Sequence, residues 1–377
     1  MLIGIDGSEA NEKVKVGSGQ YAREILWSFY RINKIRKTRS DFIIFLKQDN
    51  IEGLPEENSW WKYEKIPSEG LWILKKLIPR LYKKPKPDVF FSPNHYLPIL
   101  TPIPQVCTIH DLGYLMFTEQ FRKKDFWQLK YWTAISIIIS EYIICVSHSV
   151  EKEIVRRYPF ASKKLKVVHH GFDSVKFNTK IDPMLVRRVK NRFKLAKNYI
   201  LYLGTVKPSK NIGNIIKAFE KLQSKSDKFR DFDLVIAGKR GWMYEDVIKT
   251  TENRVSGKVK YLGYVSEEDK PALIRGARFL ISPSYWEGFG MHVIESMACG
   301  IPVVVSKIDA LKEVVGEAGI YVETDTDSIR RGMEKVLSMN KMEYNILVQR
   351  SLKQVERYSW DKAGKLTLEI LEKVKKS

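Results

Sequence analysis

The chain has 377 residues, 44% of them apolar and 29% charged, a composition typical of a folded globular protein with room for two domains. No apolar run reaches the roughly 18 residues of a membrane-spanning helix, and three cysteines without CxxC spacing indicate neither a disulfide framework nor a zinc site. The first residues, MLIGIDGSEA, lack a basic leader and predict a strand instead of a signal peptide, so we expect a cytoplasmic protein.

The first half of the chain alternates short apolar strands with helical patterns, which predicts a parallel sheet covered by helices on both faces. A glycine turn precedes a predicted helix at residues 21–30, and the proline-rich stretch 79–104 predicts a loop around one short strand. The candidate strands are Leu2–Ile5, Phe42–Leu46, Val89–Ser92, Gln105–Ile109, Ile143–Val146 and Lys166–Val168.

Polar turn residues at 173–183 separate this half from a second series of the same kind. We therefore expect an N-terminal Rossmann-like domain at residues 1–175 and a second one at 176–357, with a ligand cleft between the strand ends. An amphipathic pattern predicts that a helix within residues 358–377 packs back on the first domain. The strands of the second series are Tyr199–Leu203, Asp233–Ala237, Lys258–Tyr261, Phe279–Ser282 and Pro302–Val305.

The stretch PSYWEGFGMHVIESMACG, residues 283–300, carries the most specific chemical pattern. It places a Gly-Phe-Gly turn between a buried strand and an apolar helix, so that Glu287 lies on the turn and Glu295 within the helix. The first amides of such a helix bind an anion such as a diphosphate, whereas carboxylates accept hydrogen bonds from paired hydroxyls. The pattern predicts a sugar-nucleotide site, and its alternative is an ordinary turn with a solvated helix residue.

Three further features lie at a helix start or just after a predicted strand. Gly17 and Gly19 precede the first helix, His110 follows the strand 105–109, and Lys210 follows the strand 199–203. The amides of a glycine turn bind phosphate, and a lysine stabilises the charge of a departing diphosphate. Each feature also has a structural alternative: a tight turn, a structural histidine and a surface lysine.

The net charge of +21 is concentrated in part in two segments, residues 60–86 and 121–132, which mix lysine and arginine with large aromatic residues. Such a mixture suits an anionic membrane surface, where rings lie at the headgroup level and cations meet lipid phosphate. Nucleic acid accepts the same composition, and ordinary solvated faces of a lysine-rich protein are a third interpretation.

Four sequence blocks, at residues 5–26, 108–115, 201–212 and 282–306, together resemble the family 4 retaining glycosyltransferases. The last block matches the Glu-x7-Glu pattern of that family without a gap, and LVIAGKRGW at 234–242 adds to the likeness. The resemblance covers nearly the whole chain. It implies the GT-B fold, which is α/β with two Rossmann-like doubly wound domains facing a central cleft, the N-terminal domain receiving the acceptor.

The resemblance also implies roles for individual residues. His110 lies beside the transferred sugar, Lys210 neutralises the diphosphate, and Glu287 contacts the donor sugar, so these three form the expected catalytic set. The family commonly carries basic residues where this chain has Thr205 and Ser209. Lys207 would offset this loss of positive charge by reaching the same phosphate. The expected donor-binding residues are Gly17, Gly19, Thr205, Lys210, Gly238, Lys239, Tyr264, Glu287, Gly288, Phe289, Gly290, Met291 and Glu295.

The expected reaction is transfer of a hexose, mannose or glucose, from a nucleotide diphosphate sugar such as GDP-mannose or UDP-glucose, with retention and without a metal or a cofactor. The resemblance points to surface polysaccharide or glycolipid synthesis, with a glycan or lipid-linked acceptor at the inner membrane face. No nucleic acid partner is expected. The alternatives are a sugar-nucleotide epimerase or phosphorylase of the same fold and a non-catalytic basic protein that binds nucleic acid.

Overall fold

The structure is a computed structural model that describes residues 1–15, 17–36, 39–49, 53–67, 70–120, 122–241 and 258–374. Within these ranges the chain divides into two compact units, each built on its own parallel sheet. The first unit comprises residues 1–116, 122–171 and 358–377, and the second comprises 117–121 and 172–357. Two helix-covered parallel sheets confirm the predicted α/β class.

The sheet of the first unit has the order β3-β2-β1-β4-β5-β6-β7, with all pairs parallel. Its strands are β1 (Leu2–Asp6), β2 (Asp41–Leu46), β3 (Trp61–Lys65), β4 (Val89–Ser92), β5 (Gln105–Ile109), β6 (Tyr142–Cys145) and β7 (Leu165–Val167). The strand order reverses between β1 and β4, and ligands of such sheets bind at the carboxyl ends of the strands near this point.

The sheet of the second unit repeats the arrangement in the order β10-β9-β8-β11-β12-β13, again parallel. Its strands are β8 (Asn198–Leu203), β9 (Phe232–Ala237), β10 (Val259–Gly263), β11 (Phe279–Ser282), β12 (Val303–Ser306) and β13 (Ile320–Val322). The reversal lies between β8 and β11, so the loops after these two strands are the first place to look for a ligand site.

Helices cover both sheets, and the apolar strands between them are buried because a parallel sheet has no solvent-facing side. The helices of the first unit are α1 (Ser18–Ile35), α2 (Ile78–Leu81), α3 (Lys123–Ile139), α4 (His148–Arg157) and, at the end of the chain, α12 (Trp360–Val374). Those of the second unit are α5 (Pro183–Arg192), α6 (Ile212–Lys225), α7 (Lys270–Arg275), α8 (Met291–Ala298), α9 (Asp309–Val315), α10 (Thr326–Ser338) and α11 (Lys341–Val355).

The last helix, α12, belongs to the first unit and packs on α1. Ser28 Oγ of α1 donates a hydrogen bond of 2.9 Å to the carbonyl of Trp360, and Arg31 pairs with Asp361 at 2.5 Å. The helices approach closely because Gly364 has no side chain: a Cβ there would lie 2.1 Å from Ser28 Oγ. The predicted helix also included residues 375–377, which lie outside the described ranges.

The interpretation of segment 60–86 as an aromatic belt on the surface is wrong for its tryptophans. Trp60, Trp61 and Trp72 expose only 8%, 0% and 4% of their surface, and Trp61 packs on Phe42 with ring centroids 4.9 Å apart. Trp61 belongs to the core because β3, which was not predicted, joins the sheet beside β2. None of the helices in the described ranges combines the length and apolar character that a membrane span requires.

Candidate active site

The turn between β11 and α8 has the predicted form. Glu287 lies on the turn, and Glu295 lies inside α8, which begins at Met291 as the sequence indicated. Gly290 caps the helix with φ of +98°, a left-handed conformation that glycine adopts without strain. A Cβ at this position would also approach Leu311 to 2.9 Å. The turn is therefore fixed by a glycine that both backbone conformation and packing require.

Glu287 and Lys210 form a buried ion pair at the switch point of the second sheet. Lys210 Nζ lies 2.7 Å from Glu287 Oε1, and their side chains expose 14% and 8% of their surface. Ser284 Oγ donates a second hydrogen bond of 2.9 Å to the same oxygen. Burial alone raises the pKa of Glu287, but the charge of Lys210, helped by hydrogen bonds, lowers it to about 2. The carboxylate is ionised at neutral pH.

The position of Lys210 is set by contacts between the loops after β8 and β11. Lys210 ends a short 3-10 turn, and Asn211 follows in the left-handed conformation with φ of +61°. Asn211 Nδ2 donates to the carbonyls of Pro283 and Thr324 at 3.0 and 2.8 Å, while the amide of Tyr285 donates to the carbonyl of Ser209 at 2.9 Å. Ser209 is buried, so it supports the loop instead of offering a side chain to a phosphate.

His292, which sequence analysis did not single out, lies beside this ion pair. Its Nε2 is 2.9 Å from the hydroxyl of Ser282 at the end of β11. Burial lowers the pKa of His292 to about 4, against the opposing effect of Glu287, so the imidazole is neutral at neutral pH. The sequence signal that could have identified His292 is its position in the first turn of a helix that starts at a glycine turn.

Glu295 belongs to a second ion-paired group, which sequence analysis also missed. Lys270, the first residue of α7, lies 3.2 Å from Glu295 Oε1 and 2.8 Å from Glu267 Oε2. The Lys270 Nζ also lies 5.0 Å from the centroid of the Phe177 ring. Burial alone lowers the pKa of Lys270, but the two carboxylates outweigh burial and raise it, so the lysine remains charged.

The loops after β8, β9 and β10 are joined by backbone hydrogen bonds. The amide of Gly204 donates to the carbonyl of Ala237, and the amide of Gly238 donates to that of Gly263. Gly238 has φ of +152°, and a Cβ there would lie 1.8 Å from the carbonyl oxygen of Gly204, so only glycine fits. Of the other predicted donor contacts on these loops, Thr205 is half-buried, whereas Lys239 and Tyr264 are exposed.

The glycine turn of the first unit lies at the start of α1. Gly17 precedes the helix with φ of +50° and is exposed, with no atom within 4 Å of the place where a Cβ would stand. Gly19 is buried, and a Cβ there would come to 3.1 Å from the carbonyl oxygen of Glu9. The backbone conformation therefore favours glycine at position 17, and close packing favours glycine at position 19.

His110 follows β5 and is held in a group of aromatic rings of the first unit. Its Nε2 lies 2.9 Å from the carbonyl oxygen of Pro93, and the Tyr21 ring meets it edge on at 4.9 Å. His170 lies 5.5 Å away, and burial lowers the pKa of both histidines. Asp111 accepts a 2.7 Å hydrogen bond from the amide of Gly113 and so caps the turn that follows β5.

The structure thus sorts the predicted residues into three groups. Lys210 and Glu287 meet directly, Glu295 lies with Lys270 and Glu267, and His110 lies with Tyr21 of α1 in the first unit. Charged pairs buried at a sheet's switch point suit an ionic ligand, since burial strengthens their fields.

Solved structures with the same fold are glycosyltransferases and related sugar-handling proteins. Sucrose-phosphate synthase of Thermosynechococcus elongatus matches over 99% of both chains with a TM-score of 0.76 and 16% identity. The Anabaena protein HepE, solved in complex with UDP and glucose, covers 98% of this chain and 99% of its own with a TM-score of 0.75 and 15% identity. The fold is therefore the GT-B fold that the resemblance implied.

Sequence comparisons identify the family. Residues 52–176 match Glycosyltransferase Family 4, and residues 186–351 match Glycosyl transferases group 1. O-antigen chain mannosyltransferase B of Escherichia coli is 31% identical over 287 residues, which are 75% of this chain and 74% of that protein. O-antigen chain mannosyltransferase RfbU of Salmonella typhimurium is 26% identical over 71% of this chain and 67% of its own. The chain belongs to the group 1, family 4 glycosyltransferases, which confirms the predicted enzyme class over the alternatives.

Proposed function

We propose that the protein is a retaining hexosyltransferase that moves mannose, or glucose, from a nucleotide diphosphate sugar to a glycan or lipid-linked acceptor in surface polysaccharide or glycolipid synthesis. The buried Lys210–Glu287 pair at the switch point carries the proposal, because it combines a cation for a leaving diphosphate with a hydroxyl acceptor for the sugar. The names of the O-antigen mannosyltransferases support mannose and polysaccharide synthesis.

The donor assignment follows the two ion-paired groups. Lys210, with the amides at the start of α8, takes the diphosphate, and Glu287 accepts hydrogen bonds from the transferred sugar. Glu295 accepts hydrogen bonds from the ribose, and the loops at Gly238–Lys239 and Tyr264 take the base. Glu295 is assigned to the nucleoside because Tyr264 shares its surroundings: the charges of Glu267 and Lys270 both act on the pKa of Tyr264, which burial raises.

Retention follows if the acceptor attacks from the face that the diphosphate leaves. The bond between the anomeric carbon and the phosphate oxygen breaks with its electrons going to the phosphate, and the acceptor oxygen bonds to the same carbon. The leaving phosphate oxygen takes the acceptor's proton. Each of the two glutamates is already paired with a lysine, which argues against either as a covalent nucleophile. Lys210 takes the place of a metal ion in offsetting the leaving group's charge.

Two features of the first unit also have roles in the proposal: His110 and the glycine turn at Gly17 and Gly19. The lowered pKa of His110 keeps its ring neutral, so it forms a hydrogen bond with a sugar hydroxyl without adding a charge. The amides at Gly17 and Gly19 offer further donors to the donor phosphate.

The acceptor side is assigned to an exposed face of α3. Trp127 and Tyr131 expose 46% and 59% of their surface and stack with centroids 5.4 Å apart, and the Lys130 Nζ lies 4.7 Å from the Trp127 ring centroid. Lys123 and Lys124 are exposed on the same helix. This face suits an anionic, lipid-bearing surface and a peripheral position on the inner membrane face. Phe121, the first residue of the predicted segment, lies outside the described ranges.

The first experiment measures thermal unfolding against GDP, UDP, ADP and their mannose and glucose derivatives. A ligand that binds only the folded protein at 100 times its Kd stabilises it by about 2.7 kcal/mol. We expect one nucleotide and its sugar to raise the midpoint, and Glu295→Ala to abolish that shift. Glu323→Ala is the matched control, because Glu323 pairs with Lys307 at 2.8 Å on the surface.

Transfer is then assayed with that donor in the presence of a metal chelator, and the product's anomeric configuration is read by NMR. Retention with full activity under chelation supports the mechanism. An inverted product, or hydrolysis of the donor without any transfer to a polysaccharide or lipid-linked acceptor, contradicts it. For the acceptor face, Trp127→Ala with Tyr131→Ala should weaken sedimentation with vesicles of anionic lipid, and binding unchanged from the wild type would contradict that assignment.

A further inference from the structure

Lys270 is a buried cation that the proposed reaction does not yet use. It lies at the start of α7, and its side chain exposes 12% of its surface. It contacts one carboxylate from the turn just before α7, Glu267, and one from α8, Glu295. The ring of Phe177 closes another side. Lys270 and Glu295 are therefore paired with little water around them, whereas Glu267 exposes 31% of its side chain.

Such a group is not explained by fold stability alone. Removing a lysine and a carboxylate from water is costly, and a buried ion pair is often no more stabilising than apolar residues of the same volume. An apolar side chain at position 270 would pack on Phe177 without that cost. The charged arrangement fits a task that needs Glu295 ionised and fixed in direction.

We propose that Lys270 is a positioning residue that aims the Glu295 carboxylate at the paired hydroxyls of the donor's ribose and so makes the site selective for ribonucleotides. The inference rests on the proposed function and deepens it. Lys270 binds Oε1 of Glu295, and a carboxylate has lone pairs on both oxygens, so it accepts further hydrogen bonds while it is held. The excess negative charge of the group favours hydroxyl donors and disfavours phosphate.

Glu267 restrains the Lys270 side chain from a second direction. It lies three residues before Lys270, in the turn that leads into α7, and its Oε2 is 2.8 Å from the Lys270 Nζ. With Glu267 on one side and Phe177 near the ammonium group, Lys270 has few alternative directions. The Glu295 carboxylate is therefore oriented before the nucleotide arrives, which lowers the entropy lost on binding.

The test compares the Kd of GDP and UDP with that of their 2′,3′-dideoxy analogues by calorimetry, using the intact protein. Hydrogen bonds to a charged acceptor predict that the wild type prefers the ribonucleotide by roughly 10- to 100-fold. Lys270→Met should reduce this preference to about threefold or less while leaving the Kd of the dideoxy analogue unchanged. Lys270→Arg should restore most of the preference, since it keeps the cation.

Two controls separate positioning from folding. Lys307→Met removes the lysine of an exposed lysine–glutamate pair in the same unit and should leave the preference intact. In a Glu295→Gln background, Lys270→Met should cause no further loss of selectivity, because the lysine acts through that carboxylate. If Lys270→Met loosened the second unit as a whole, it would instead raise the Kd of the ribonucleotide and of the dideoxy analogue by the same factor.

The outcomes distinguish the two proposals. If the wild type binds neither GDP nor UDP, the proposed function fails and this inference fails with it. If the wild type prefers the ribonucleotide and Lys270→Met keeps that preference, or loses affinity equally for both ligands, only the role of Lys270 is overturned. Equal affinity of the wild type for both ligands also overturns it. Should Lys270→Met not fold, Lys270→Gln is measured against the same two ligands.

Discussion

The candidate site of the second unit contains buried charges in pairs, whereas the candidate histidine of the first unit is a neutral ring packed among other rings. Lys210 with Glu287 and Lys270 with Glu295 are buried ion pairs. His110, by contrast, lies among Tyr21 and other rings, and burial keeps its pKa low. The difference separates two tasks of the proposed reaction: the second unit meets the charge of the donor, and the first supplies hydrogen bonds without charge.

The largest effect is expected where a paired charge is removed from the second unit. Lys210→Ala should lower kcat by about 10²- to 10³-fold, since the cation stabilises charge that develops on the departing diphosphate. The matched control is Lys221→Ala, because Lys221 of α6 pairs with Asp327 at the surface at 3.1 Å. Steady-state transfer rates measure both variants, and a kcat of Lys210→Ala within about threefold of the wild type would remove the lysine from the mechanism.

A smaller effect is expected from the neutral histidine beside that pair. His292 has a pKa of about 4 in the folded protein against 6.5 for the free side chain, so the unfolded chain binds its proton first as pH falls. The stability that this group contributes is complete above pH 6.5 and is lost between 6.5 and 4, by up to about 3 kcal/mol.

The measurement is the unfolding free energy of the wild type and of His292→Gln across that pH range. Glutamine keeps a hydrogen bond to Ser282 but does not titrate, so the variant should lose less stability on acidification. The other buried histidines are present in both proteins and cancel in the difference. Parallel pH curves would show that His292 titrates normally.

The smallest effect is expected from the charge at the edge of the neutral group in the first unit. Asp111 accepts a hydrogen bond from the amide of Gly113, and asparagine at this position retains an acceptor oxygen. Asp111→Asn should cost about 1 kcal/mol of unfolding free energy and change kcat by no more than about twofold. A large loss of activity with an intact fold would give Asp111 a role in the reaction and end the contrast between the units.

The parts of the site that the sequence predicted are those coded by adjacent residues. The glycine turn, Glu287 and the helix Met291–Ala298 follow from a strand, a turn and an apolar run in one stretch, and the structure has them there. The repeated strand and helix pattern likewise predicted both parallel sheets. These features depend on local backbone preferences and on burial along single elements, which a sequence shows directly.

The missing parts depend on packing between elements. Lys270 lies 25 residues before Glu295 and meets it only because α7 packs on α8. Strand β3 reads WKYEK, and its charged residues hide an edge strand whose inward residue, Trp61, is fully buried. The same alternation made the aromatic residues of segment 60–86 look like a surface belt. Composition cannot distinguish a ring that faces a neighbouring helix from one that faces a lipid.

Helix α12 gives the biosynthesis of the protein a particular order. It covers α1 with buried residues that include Leu368 and Leu371, yet residues 36–359 are synthesised between the two helices. At about 5 to 20 residues per second, the nascent α1 waits on the order of 15 to 65 s for its partner. During that interval part of its apolar face is open to water and to chaperones. The unit that starts first along the messenger is the one that is completed last.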